Sequence, residues 1–294
     1  DDGVNYSALT NGTLLTACGI GRALTALAAI DTDQVDVFDE DSSVSIYIPG
    51  YTLSSYTAAV IMAGTATGYL LKNELFYAKT ATLTAADTYL LSGLLRGRRG
   101  TESYTDEHAI GDKFAVIDSN TRSIPQEWDD VDVQLLYKPV SVGSSLDKTA
   151  SFAFTNTARR KKPLAPCLLK AGQYNAAGDI LIEWTRRTRY DAVWRDGADA
   201  ALGETIEEYV LNIYAADGTT ILRSVTATSP SYIYVVANQT ADFGTAPLVF
   251  KAEVRQKSSE FGQGYSSGVE TLVIDGPIFC QITGITVELH EDAR

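Results

Sequence analysis

TYLLSGLLRGRRGTESYTDEHAIGDKFAVI, Thr88 to Ile117, sets a glycine-punctuated basic run between two apolar ones. Its ends, TYLLSGLL and DKFAVI, are rich in apolar and aromatic residues and read as paired strands. Between them Gly93, Gly97, Gly100 and Gly111 can supply the positive φ values that hairpins and bulges require. Three arginines, Arg96, Arg98 and Arg99, fall within four positions of a chain whose formal net charge is −13. Guanidinium forks bind carboxylates in bidentate fashion, and Glu102, Asp106, Glu107 and Asp112 stand nearby. The residues therefore predict a locally neutral, structural corner.

Working outward, SVSIYIPG (43–50), VDVQLLYKPV (131–140), DILIEWTRR (179–187) and LVFKAEVRQ (248–256) alternate apolar with polar residues and read as half-buried strands. Turn-forming clusters such as GTATG, AADGTT and NQTADFG separate the strands. The one candidate helix is LLTACGIGRALTALAAI (14–30), which its internal glycines weaken. The 294 residues suffice for two domains, and ARRKKPLAP (158–166) reads as an exposed basic linker between them. Past it, strands expected near Leu168, Ile180, Tyr209, Ile221, Tyr232, Val249 and Thr271 suit a seven-stranded sandwich, with Trp184, Ile182 and Ile180 on its core face. Without a cysteine pair at the expected strands, a fibronectin type III variant fits better than a true immunoglobulin domain. The chain is thus expected to be mainly β. It divides into an N-terminal β sandwich or barrel (1–160), a fibronectin type III-like β sandwich (161–275) and a C-terminal extension (276–294).

The run LSGLLRGRRGTE, followed by His108, Gly111 and Asp112, resembles the signature of the C-terminal region of tail-tip hub proteins of long-tailed bacteriophages and gene transfer agents. Downstream, ILIEWTRRTR, LGETIEEYVLNIY and VRQKSSEFGQG resemble the fibronectin-type module that follows it there, so the likeness runs from Asn73 to Gly264. It implies a virion structural protein of the tail tip or baseplate that helps contact the host cell, made in the bacterial cytoplasm before assembly into the virion tail. Other tail proteins would be its partners, the assembled form a homotrimer, and host surface polysaccharide or a receptor a further contact. Carried onto this sequence, the motif makes Arg96, Gly97, Arg98, Arg99, Gly100, Thr101 and Glu102 a structural corner with no chemistry attached.

Composition and motifs exclude several classes. The acidic balance repels nucleic acid and anionic headgroups at long range. Apolar runs are too short for a membrane span. Asp1 and Asp2 open the sequence without Met or a leader pattern, and it reads as an excised piece. Cys18, Cys167 and Cys280 have no metal or redox spacing and are expected to be buried thiols. DTDQVDVFDED (31–41) invites a calcium reading, yet it breaks the EF-hand pattern and reads as a solvated acidic loop. His108 and His290, far apart, leave zinc without a ligand set. GYSSG (264–268) fits the nucleophile-elbow pattern around Ser266, but on the approach to a sandwich strand it lacks its structural context. No catalytic residue, cofactor or metal is expected.

Two features could bind a surface. The insertion Arg186–Glu208 carries Tyr190, Trp194 and Arg195, although Arg186, Arg187, Arg189 and Arg195 can be neutralised by Asp191, Asp196, Glu204 and Glu207. Tyr232 and Tyr234 alternate on a strand and would share one face, available to sugars or to a neighbouring domain. A carbohydrate-binding module of a secreted bacterial protein is the alternative reading that these aromatic residues keep open.

Overall fold

The structure is a computed structural model that describes residues 5–8, 18–30, 34, 37–106, 108–189 and 201–274. It is mainly β. Six antiparallel strands close the first domain into a barrel: β1 (Ile20–Ala23), β2 (Asp39–Tyr47), β3 (Gly68–Leu71), β4 (Glu74–Ala85), β5 (Thr88–Leu95) and β6 (Lys113–Ile117), in the order β1-β2-β5-β4-β3-β6. Closure leaves the sheet without an open edge. Alternation along the strands sends Val44 and Ile46, Tyr69 and Leu71, Phe76 and Ala78, and Phe114 and Val116 inward, where they meet Leu91 and Leu94. Tyr69 sits between the rings of Phe76 and Phe114, with centroids 5.8 and 5.5 Å away.

Two expectations change here. TYLLSGLL and DKFAVI are strands, but they do not pair: β5 lies between β2 and β4, and β6 between β1 and β3. The expected helix is replaced, over its described part, by β1 and an extended segment in which Leu27 bridges His108. Gly21 permits the close approach of β1 to β2, because a Cβ there would stand 2.1 Å from the Tyr47 carbonyl oxygen.

A segment spanning 118–166 links the domains. It holds a small hairpin, β7 (Gln134–Tyr137) with β8 (Phe152–Thr155), in which Leu135 opposes Phe154 and Tyr137 opposes Phe152. The strand expected in VDVQLLYKPV exists, although its partner Phe152 is 49% exposed. The N-terminal unit expected over 1–160 is therefore a barrel ending at Ile117 plus this separate hairpin.

The second domain is a β sandwich. β9 (Cys167–Gln173), β10 (Ile180–Thr185) and β13 (Ser231–Tyr234) form one sheet in the order β13-β10-β9. β11 (Tyr209–Tyr214), β12 (Ile221–Ala227), β14 (Val249–Ser258) and β15 (Gly262–Ser266) form the other, and β16 (Glu270–Val273) also pairs with β14. All seven expected strands are present, in fibronectin type III-like connectivity. β15 and the helix α1 (Val236–Phe243) go beyond the elements the sequence predicts. Ile180, Ile182 and Trp184 face the core as expected, Trp184 edge-on to Tyr209 at 5.2 Å.

Candidate functional site

The arginine-rich corner between β5 and β6 is the most built-up polar region of the described chain. It has an inner and an outer half. In the inner half Arg96 leaves the end of β5 and points into the barrel, where both it and Glu74 at the start of β4 are fully buried. The guanidinium Nε donates to Glu74 Oε1 at 3.0 Å and Nη2 to Oε2 at 2.8 Å, a two-pronged pair. Its remaining donors reach the carbonyl oxygens of Ala28 and Thr105, tying two distant loops to the corner. Glu74 also accepts the Gly97 amide at 3.0 Å and stands 2.6 Å from His108 Nε2. Burial alone would raise the pKa of Glu74, but the bonds from His108 and Arg96, the Arg96 charge and the Gly97 amide outweigh it and hold the carboxyl below its ordinary range.

The outer half faces the second domain. Gly97 has φ 62° and Gly100 φ 80°, and Arg98–Gly100 make a single tight turn. Thr101 closes this turn by donating to the Arg98 carbonyl at 2.8 Å and accepting the Leu75 amide at 3.0 Å. Glu102, 4% exposed, is thereby aimed across the domain boundary at Arg187, which follows β10 and is 7% exposed, and Nη1 to Oε1 is 2.8 Å. Glu102 Oε2 accepts the Ala165 amide at 3.4 Å. Arg159 lies over the Tyr104 ring, 4.4 Å from its centroid, and donates to its hydroxyl at 2.6 Å. Tyr265 of the sandwich donates its hydroxyl to the Arg159 carbonyl at 3.1 Å. A Cβ on Gly100 would stand 3.0 Å from that same carbonyl and 3.1 Å from the Tyr265 ring. The corner joins barrel, linker and sandwich at one point.

The partner of Arg96 therefore differs from those expected. Arg96 pairs with Glu74, outside the anticipated carboxylates, because the barrel order brings the start of β4 beside the end of β5. Glu102 pairs with Arg187 across the boundary. Arg99 is exposed and has no ion-pair partner among the described residues. The basic linker is no exposed tether either, since Pro163, Ala165 and Pro166 are buried in the joint.

The anticipated binding faces fare differently. Tyr190, Trp194 and Arg195 lie outside the described residues. At the stem of that insertion, Arg186 pairs with Glu207 at 2.9 Å and Arg189 with Glu204 at 2.8 Å, whereas Arg187 leaves for the barrel. The tyrosine strand is a correction: Tyr234 is fully buried and Tyr232 packs partly against the same core. Pairing of β13 with β10 turns the face inward, and the Tyr234 hydroxyl is satisfied by Asp242 at 2.6 Å. Ser266 lies on β15 with its hydroxyl on Glu253 at 2.6 Å, while His108 is bound to Glu74 in the other domain. Cys18 and Cys167 are half-buried, not buried, and Cys280 lies outside the described residues, as do His290 and much of 31–41. Among the described residues no group of three or more His, Cys, Asp or Glu side chains is placed to hold a metal ion.

A family model described as Rcc01698-like, C-terminal, matches residues 18–115, from the residues before β1 to the third residue of β6. No curated protein matches. Among solved structures, domains A168–A170 of titin are similar at 10% identity and a TM-score of 0.27, covering 80% of this chain and 58% of that one. The chain thus spans little more than half of that structure, and the two-sheet architecture is read from the strand order itself. The matched family region and the inner half of the corner coincide, from Arg96 and Glu74 to His108.

Proposed function

We propose that this chain is a structural, non-enzymatic component of the tail tip or baseplate of a long-tailed bacteriophage or gene transfer agent. It works in tail-tip assembly and host-cell attachment. One observation carries the reading: the signature residues that resemble tail-tip hubs are spent on architecture, Arg96 inside the barrel and Glu102 in the joint between domains. Such a joint suits a part whose task is to hold two modules in fixed orientation within an assembly. In this reading the chain folds in the bacterial cytoplasm, then joins other tail proteins in the virion, as a homotrimer around the tail axis.

The inward-facing Tyr234 weakens the carbohydrate-binding alternative through that strand. The separation of Ser266 from His108 gives a hydrolase reading no support. The test is an imaged particle: density at the distal tail that accepts the barrel and sandwich supports the proposal. Particles that contain the chain elsewhere, or a secreted enzyme that contains it, would overturn it.

A further inference from the structure

The fold brings together two basic runs that are 60 positions apart in sequence. The turn Arg98–Gly100 packs on the turn Arg159–Lys161, with the Gly100 position against the Arg159 carbonyl. Arg159 is occupied by Tyr104. Arg99, Arg160 and Lys161 are exposed, Lys162 is half-buried, and none of the four forms an ion pair among the described residues. Lys161 Nζ stands 6.0 Å from the centroid of the Phe261 ring, which Trp128 meets edge-on. Both turns also hold a non-glycine residue in the left-handed region, Arg99 at φ 56° and Ala158 at φ 49°. Left-handed backbone disfavours side chains other than Asn, Asp and Gly, so an arginine there, in a glycine-rich run, points to a use for its side chain.

We propose that this patch of Arg99, Arg160, Lys161 and Lys162 is a docking surface for an acidic protein segment. Charge complementarity and range both favour such an occupant. Arginine forks match carboxylates geometrically, and the two turns present them from a joint whose backbone is fixed by the Glu102–Arg187 pair. A long polyanion would feel the whole molecule, at −13, whereas a short acidic segment within a Debye length feels chiefly the patch. A loop or tail of a neighbouring protein fits that condition better than nucleic acid or a charged polysaccharide. The proposal takes from the preceding section only that the chain works inside an assembly, and its test reads the isolated protein.

The probe is a labelled peptide with the sequence DTDQVDVFDED, this chain's own Asp31–Asp41, titrated with the full chain and followed by fluorescence anisotropy. Saturable binding is expected, weakened about tenfold or more between low and roughly 0.3 M salt. An R99E/R160E/K161E variant with unchanged circular dichroism should lose it by a similar factor, and a peptide with every Asp and Glu changed to Asn and Gln should not bind. R160Q alone, expected to weaken binding severalfold, gives a second reading should the triple variant unfold. Absence of peptide binding, or equal binding by the variants, overturns the proposal. Heparin binding more tightly than the peptide and lost in the same variants would overturn it in favour of a polyanion site.

Discussion

Arg96 and Glu74 are both fully buried, and each is tolerable there because of the other. Removing one leaves an uncompensated charge in the barrel, so Arg96→Leu should cost about 3–5 kcal/mol in urea denaturation. Glu74→Gln, which keeps shape and some hydrogen bonds, should cost less. Gly100→Val meets two obstacles, a φ of 80° and the neighbouring Arg159 carbonyl and Tyr265 ring, and should lose about 1–3 kcal/mol. A valine variant as stable as the parent would show that the turn adapts. The sequence already marks these glycines as turn formers and Arg96 as ion-paired. It hides the partners, because Glu74 lies 22 positions before Arg96 and Arg187 lies in another domain. Local spacing says which groups need neutralising, and only the closed barrel decides which groups arrive.

At the scale of elements, hydrophobic alternation reveals most strands, since each carries a half-buried face of its own. Pairing depends on long-range closure, which is why β5 and β6 look like a hairpin and are not one. Tyr232 and Tyr234 share a face, as their spacing requires, yet the sheet partner chooses which side that face meets. Carboxylates tie several elements together. Burial opposes ionisation at Glu74, Glu253 and Asp242, but hydrogen bonds and arginines dominate, and all three carboxyls are held below their ordinary range. Groups whose pKa falls on folding add stability that is present above the unfolded pKa and lost as pH drops toward the folded one. The urea midpoint should therefore hold steady from about pH 7 to pH 5 and decline below roughly pH 4. In Glu74→Gln the acid limb should be shallower, and stability that rises on acidification would contradict the assignment.

For the whole molecule, the corner is a joint: Glu102 of the barrel, Arg187 of the sandwich and Arg159 of the linker meet there with buried backbone between them. Two domains with separate cores could otherwise unfold independently. Breaking a buried pair by removing one partner costs about 3–5 kcal/mol, enough to uncouple neighbouring units of ordinary stability. Scanning calorimetry of the full chain and of Glu102→Ala tests this directly. The parent should melt in one cooperative transition and the variant in two, with the sandwich transition the less displaced in temperature. Two separate transitions in the parent, or a Glu102→Ala variant that still melts as one unit at the parent's temperature, would contradict the joint.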